Sequence, residues 1–404
     1  DQTAADIKTL IAASKLDGAH IANTSVTADS YGSSTAIPII TVDAQGRITA
    51  ASTVSAGGGG GTTVSGTSLK SNLTNTNVNT SSSISLGVNA GNSGQGSQTI
   101  AIGLNAASTS QGLNSIAIGI DAGKTSQGIR AIAIGESAAM NTGQGQSSVA
   151  IGYQAGRDDQ GEYAVAIGSA CGMLSSQGTA ATAVGNMAGH NNQGNVAVAI
   201  GNSAAHLNQG EGSVGIGHDA GTENQGHSSV AIGKNAGKYE QGTEAVAIGQ
   251  SAGEGPDNIG QGDKSVAIGY QAGRSSQATT AVAIGSEAGE SAQKANAVAI
   301  GNNAGQANQG EKSIAIGNYA AYSGLNSVEC VAIGHGAGQF SQGEGCVAIG
   351  HHAGQSNQHA RTIIISGQAA GSGLNSDGTD RFFVKPIRTD YSHQIDNNVT
   401  YNPT

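Results

Sequence analysis

Ten histidines, three cysteines and 27 acidic residues are the groups in this 404-residue chain that could ligate a metal, attack an electrophile or move a proton. Asp158-Asp159 sets two carboxylates side by side, but in a variable, charged stretch that reads as solvated surface. His351-His352 and His359 could meet at a metal ion. No cysteine or carboxylate pattern accompanies them, so they read as surface histidines near the end of a repeated region. Cys171, Cys330 and Cys346 are too few for a disulfide framework. Each stands where other copies of the repeat have Ala, Ser or Thr, and so reads as a small residue in a tight place. Cys330 and Cys346 should stack about 4.8 Å apart in adjacent turns, with a strained bridge as the alternative. Glycine-rich calcium repeats need a recurring Asp, and Gly-x-Gly phosphate loops need a following helix; neither pattern is present. We expect no catalytic, cofactor-binding or metal-ligating residues, no cofactor and no enzyme. A polysaccharide-degrading fibre would need clustered carboxylates, and an ice-binding solenoid a column of Thr.

What must position these groups is a sixteen-residue phrase. A core of the form Val-Ala-Ile-Gly recurs from Ile84–Gly87 to Ile363–Ser366, ending for example at Gly103, Gly119, Gly201, Gly285 and Gly350. Most steps are of 16 residues, three are of 17, and Gly249 to Gly269 is 20. Three and four residues after the glycine come Ala and Gly, as in Ala236-Gly237. Usually eight residues after it stands Gln, in sixteen repeats, and in thirteen of these a Gly follows. A period this short cannot build a globule per copy. Each copy is expected to be one turn of a stack that buries its apolar side against its neighbours.

Composition agrees. With 65 Gly, 3% aromatics, no Trp and 11% charged residues, the side chains that fill a thick core are missing. A disordered tract would have no reason to hold Val and Ile in register. The net charge of −10 offers no basic face for nucleic acid, and a membrane surface is equally disfavoured. No run approaches the ~20 apolar residues of a transmembrane helix. The first residue is not Met and the ending Tyr401–Thr404 reads as an interruption, so the chain is expected to be a portion or a processed form.

Within Ser-Val-Ala-Ile-Gly the residues alternate, the period of a strand. Val and Ile, three and one before the glycine, share one face. Small residues four and two before it, such as Ser265 and Ala267, share the other. One turn then reads as a short strand, a bend, a second extended stretch through the Gln, and a bend at Gln-Gly. Successive turns pair in parallel, giving about 80 Å of shaft at ~4.8 Å per turn. So thin a coil should need self-association. The small face is expected where three chains approach, with Val and Ile filling each coil; Val and Ile on the axis is the alternative. The Gln column is expected to form a ladder of side-chain amides.

Ser-Val-Ala-Ile-Gly, as at Ser229–Gly233 and Ser265–Gly269, resembles the head repeat of trimeric autotransporter adhesins. The resemblance covers about residues 84–370 and implies a trimer of left-handed parallel β-rolls. The repeat here is longer and adds the Gln-Gly element. The flanks point elsewhere. Asp1–Lys8 reads as a short helix with Ile7, Leu10 and Ile11 on one side, and Ile39–Ala50 as a β-hairpin turning at Ala44–Gly46. This stretch is similar to segments of bacteriophage tail fibres. Arg381–Arg388, with Phe382 and Phe383, reads as a cap, and the ending resembles the region before a cleaved chaperone domain in viral fibres.

The expected fold is therefore all-β, a parallel β-solenoid or β-roll of about 18 turns in a trimeric fibre. Its organisation would be an attachment region with a short helix and hairpin (1–56), a Gly/Ser/Thr/Asn-rich linker (57–83), a repeat shaft (84–374) and a C-terminal β cap (375–404). The function this implies is a structural virion fibre, a phage tail fibre for host attachment. Its partners would be its own copies, baseplate or tail proteins at the N-terminal region, and a host cell-surface receptor. A bacterial surface adhesin of the autotransporter type is the alternative. Phe382, Phe383, Tyr391 and Tyr401, beside Arg381 and Arg388, gather the aromatic and Arg anchors that recognition commonly uses.

Overall fold

The computed structural model describes residues 4–5, 26–27, 29–33, 36–44, 46–55, 83–141, 143–256, 259–323, 327–367 and 374–385. They belong to two units, residues 1–72 and 73–404. In the first, β1 (Ala36–Val42) pairs antiparallel with β2 (Ile48–Ser55), with a register shift between Thr41 and Val42. The turn is where the sequence puts it. Gly46 donates to the Asp43 carbonyl (2.9 Å), Asp43 donates to the Arg47 carbonyl (2.9 Å), and the Arg47 guanidinium closes on the Asp43 carboxylate at 2.7 Å. Of the helix expected over residues 1–8 only Ala4 and Ala5 are among the described residues, and the linker expected at 57–83 lies outside them except for Ser83.

The second unit is a parallel β-solenoid. Strands of the Val-Ala-Ile type stack in register from Ile84–Leu86 to Ile363–Ser366, eighteen in all, and Phe382–Lys385 pairs in parallel with the last of them. Val266, Ala267 and Ile268, for instance, lie against Val246, Ala247 and Ile248 below and Val282, Ala283 and Ile284 above. Leaving the strand, the chain bends at Gly269 (φ 129), Gln271 (φ 53) and Gly273 (φ 54), crosses, and bends again at Ser276 (φ 60) and Thr280 (φ 58). So many left-handed residues explain the abundance of Gly, Asn, Asp and Ser, which reach that region most cheaply. The second stretch pairs less regularly: Ser93–Gln95, Thr109–Gln111 and Thr125–Gln127 form one short sheet, and Leu174–Gln177 to Glu223–Gln225 another.

The two faces of the main strand are the reverse of the first expectation. Ala267, Ala272 and Ser265 are wholly buried inside the coil, with Gln277 1% exposed, whereas Val and Ile point outward and stay part-exposed. The reason is width. A methyl at Gly289 would sit 2.7 Å from the Gln293 carboxamide oxygen, so even that group would displace the Gln, and a branched side chain would overpack the interior.

Gln spans this narrow interior. The Gln277 amide nitrogen donates to the carbonyls of Val266 (2.9 Å) and Ala281 (3.3 Å) and to the carboxamide of Gln293 (3.0 Å). The ladder runs unbroken from Gln209 to Gln309. Three buried oxygens, on Gln127, Gln144 and Gln209, lack a partner. Each lies in or directly after a turn where Ala107, Ala139 or Ala205 replaces the second glycine. At that position a methyl crowds the carboxamide and costs the rung.

The long step from Gly249 to Gly269 leaves the stack undisturbed: Val246 stays in register with Val266, and Gln241 bonds Gln261 at 3.1 Å. A methyl at Gly255 would lie 2.7 Å from the Gly260 Cα, so the extra residues leave and re-enter at one point. Asp257 and Asn258, within this insertion, lie outside the described residues. Deleting Pro256–Ile259 restores a sixteen-residue step, and we expect the unfolding temperature to stay within a few degrees of the parent. A variant that no longer folds would make the insertion part of the scaffold.

The far end widens. After Ala348 the interior column continues with Ile364 and then Phe383, which packs with Leu374 against the last alanines. Phe383 caps the alanine interior at this end of the described coil. Phe382, its neighbour, points out and is 64% exposed.

Candidate functional site

The outward face of the main strands is the most extensive surface feature. Two columns of Val and Ile, with Thr182 the one polar residue in them, run the length of the stack without a charged residue in either. Ile167, Ile200, Ile248, Ile349, Ile363 and Ile365 are each between 36 and 41% exposed, because neighbours above and below cover only part of each side chain. Summed over the turns this is an apolar stripe on the order of 2,000 Å², against the few hundred Å² usual for the surface of a monomer. A flat, repeating apolar stripe excludes water when it meets its like, and has nothing with which to do chemistry.

The opposite surface is polar. Asn192 donates to Asn208 (3.2 Å), Asn208 to Asn224 (2.9 Å) and Asn224 to Glu240 (2.6 Å), a second ladder on the outside of the coil. Beside it lies an open groove of about 570 Å³, lined by Asn195, Glu211 and His227 among others. It contains no aromatic side chain.

The residues singled out for chemistry are mostly committed to neighbours. Asp158 pairs with Arg157 at 2.9 Å and accepts from Asn141 at 2.6 Å, so it is tied into the surface rather than poised as an acid or base. The three cysteines are free thiols. Burial pushes the Cys171 thiol up to about 12 and that of Cys330 to about 11, which leaves both inert at neutral pH. Their hydrogens are used locally: Cys330 donates to the Gly343 carbonyl at 3.0 Å and Cys346 to that of His359 at 2.8 Å. His359 does not join His351 and His352. Its ring stands 3.0 Å from the Ser376 hydroxyl, which also accepts from the His359 backbone at 2.7 Å. The ring that does join them is His335, one period before His351, a signal the repeat itself carried. Of the aromatic and Arg group at the far end, Tyr391, Tyr401 and Arg388 lie outside the described residues.

His190 stacks on His206, one turn on, with ring centroids 4.7 Å apart, and its Nδ1 is buried without a partner. Burial first, then the His206 ring and Arg157, hold its pKa below 6.5. The unfolded chain therefore takes up a proton before the folded one does, and stability falls as pH drops through about 6.5. We expect a lower unfolding temperature at pH 5.5 than at pH 7.5, with the difference reduced by His190→Gln. An unaltered difference in that variant would remove His190 from the account.

Comparison with known proteins gives no matching family model, no matching curated relative and no matching solved structure.

Proposed function

We propose that the chain forms the shaft of a homotrimeric fibre carried on a virion, a phage tail fibre, in which it holds a host-binding tip away from the particle. The observation that carries this reading is the outward stripe of Val and Ile along the stack. A coil filled mainly with Ala, Ser and Gln buries little apolar area of its own, and a domain without a thick core needs an additional source of stability. Three copies meeting along their stripes supply it, and turn three thin coils into one stiff rod with a shared apolar axis. The Gln ladder and the in-register stacking suit a spacer, since every turn repeats the same hydrogen bonds. The outer face is polar over most of its length, which suits passage through water, and its aromatic group of Tyr319, Tyr322 and Phe340, with ring centroids 5.1 and 6.4 Å apart, is confined to two consecutive turns.

Attachment would run through the region of residues 1–56, to baseplate or tail proteins, and recognition of a cell-surface receptor would lie at or beyond the far end. The Ser-Val-Ala-Ile-Gly core favours one second reading, a bacterial surface adhesin built on the same trimeric principle. Mass spectrometry of fractions from the natural source separates the two. Peptides of the coil in density-purified virions are the expected result. Their recovery in the bacterial envelope fraction would transfer the proposal to the adhesin, and recovery only in the cytosol would refute both.

A further inference from the structure

Three of the ten histidines converge on adjacent turns near the end of the coil. His335 and His351 occupy the place directly after the strand glycine in consecutive turns and stack with centroids 5.0 Å apart. His352 swings in beside them, its ring centroid 4.2 Å from that of His351 and 5.0 Å from that of His335. One nitrogen from each ring lies within 4.8 Å of the other two. Room for His352 comes from a sequence exception. Its place in the preceding turn is taken by Gly336, where a methyl would lie 3.3 Å from the His352 ring.

Two features set this cluster apart from an ordinary polar surface. The Nδ1 atoms of both His351 and His352 are buried and have no hydrogen-bond partner, although buried polar atoms are nearly always satisfied. In the two turns before, the place of His335 is held by Asn318 and Asn302, which simply bond each other at 2.9 Å. A neutral imidazole offers a lone pair; three of them, with no carboxylate in the set, suit a borderline cation and not Ca²⁺ or Mg²⁺.

We propose that His335, His351 and His352 form a site for a divalent transition-metal ion, Zn²⁺ being the physiological candidate, that staples the last two full repeats together. A tetrahedral ion at about 2.0–2.1 Å from each nitrogen brings the nitrogens to about 3.4 Å from one another. Closing from within 4.8 Å to that distance calls for rotation of the exposed His335 ring and adjustment of its two partners. The fourth coordination position is left to water or to a group from outside the chain. The staple crosses from one turn to the next close to Ile364 and Phe383 at this end of the described coil.

The test uses the full chain stripped with EDTA and titrated with Co²⁺, whose visible spectrum reports nitrogen coordination, followed by displacement with Zn²⁺. His335→Asn and His352→Asn are the variants of choice, since Asn318 and Asn303 already hold the equivalent places in other turns and the coil should fold unchanged. We expect one equivalent of Co²⁺ per chain, displaced by Zn²⁺, and at least tenfold weaker binding in either variant. A double variant of His190 and His206 should bind as the parent does. Absence of saturable binding, or binding equally strong in both Asn variants while their metal-free unfolding matches the parent, overturns the site.

Discussion

Replacing Ile268, Ile284 and Ile300 together with Lys is expected to leave a chain that no longer associates. These three stand on consecutive turns of the outward column. On the surface of a lone coil, lysines there would be harmless and would improve solubility. On the axis of a trimer they place nine ammonium groups in one apolar seam, and each unpaired buried charge costs on the order of 3–5 kcal/mol. Ala267→Leu at the same level is the matched control. Ala267 faces the inside of its own coil and is 0% exposed, so the added methylenes should cost about 1–3 kcal/mol per chain through overpacking. The Lys variant should thus lose its oligomeric mass, and the Leu variant its thermal margin. If the Lys variant keeps the parent's mass and unfolding temperature, the Val and Ile stripe faces solvent and the trimer is built otherwise.

The second large effect falls on the strand glycine. Gly285 has φ 130, and a Cβ there would stand 2.5 Å from the carbonyl oxygen of Gly301 in the next turn. That contact is with backbone held by the ladder and cannot be relieved by a rotamer change. Gly285→Ala should therefore combine a strained dihedral with a forced separation of two rungs, costing more than about 3 kcal/mol. Hydrogen exchange should be accelerated most in the strands Val282–Ile284 and Val298–Ile300. Protection equal to the parent's in those strands would mean the stack can open at this column without cost.

The period, the strand, the in-register pairing and the bends were legible because a repeat averages away local ambiguity: any position seen seventeen times reveals what it tolerates. The Gln column was readable for the same reason, and its three missing partners follow from Ala107, Ala139 and Ala205, which stand where the other Gln-bearing repeats have Gly. What alternation could not decide is which face is inside. Val-Ala-Ile marks two faces but does not give the width of the coil, and general experience of cores favours the branched residues. The closure set by Ala-Gly and Gln leaves no such width. The histidine cluster was half legible. His351-His352 drew attention by adjacency, but the third ring was sought nearby in sequence, at His359, when a solenoid brings together residues one period apart.

The central claim is that three coils share an apolar axis, and sedimentation equilibrium of the chain at micromolar concentration tests it most directly. The account predicts a single species of three times the 39.5 kDa chain mass, with no folded monomer on dilution. A stable, folded species of 39.5 kDa would contradict it.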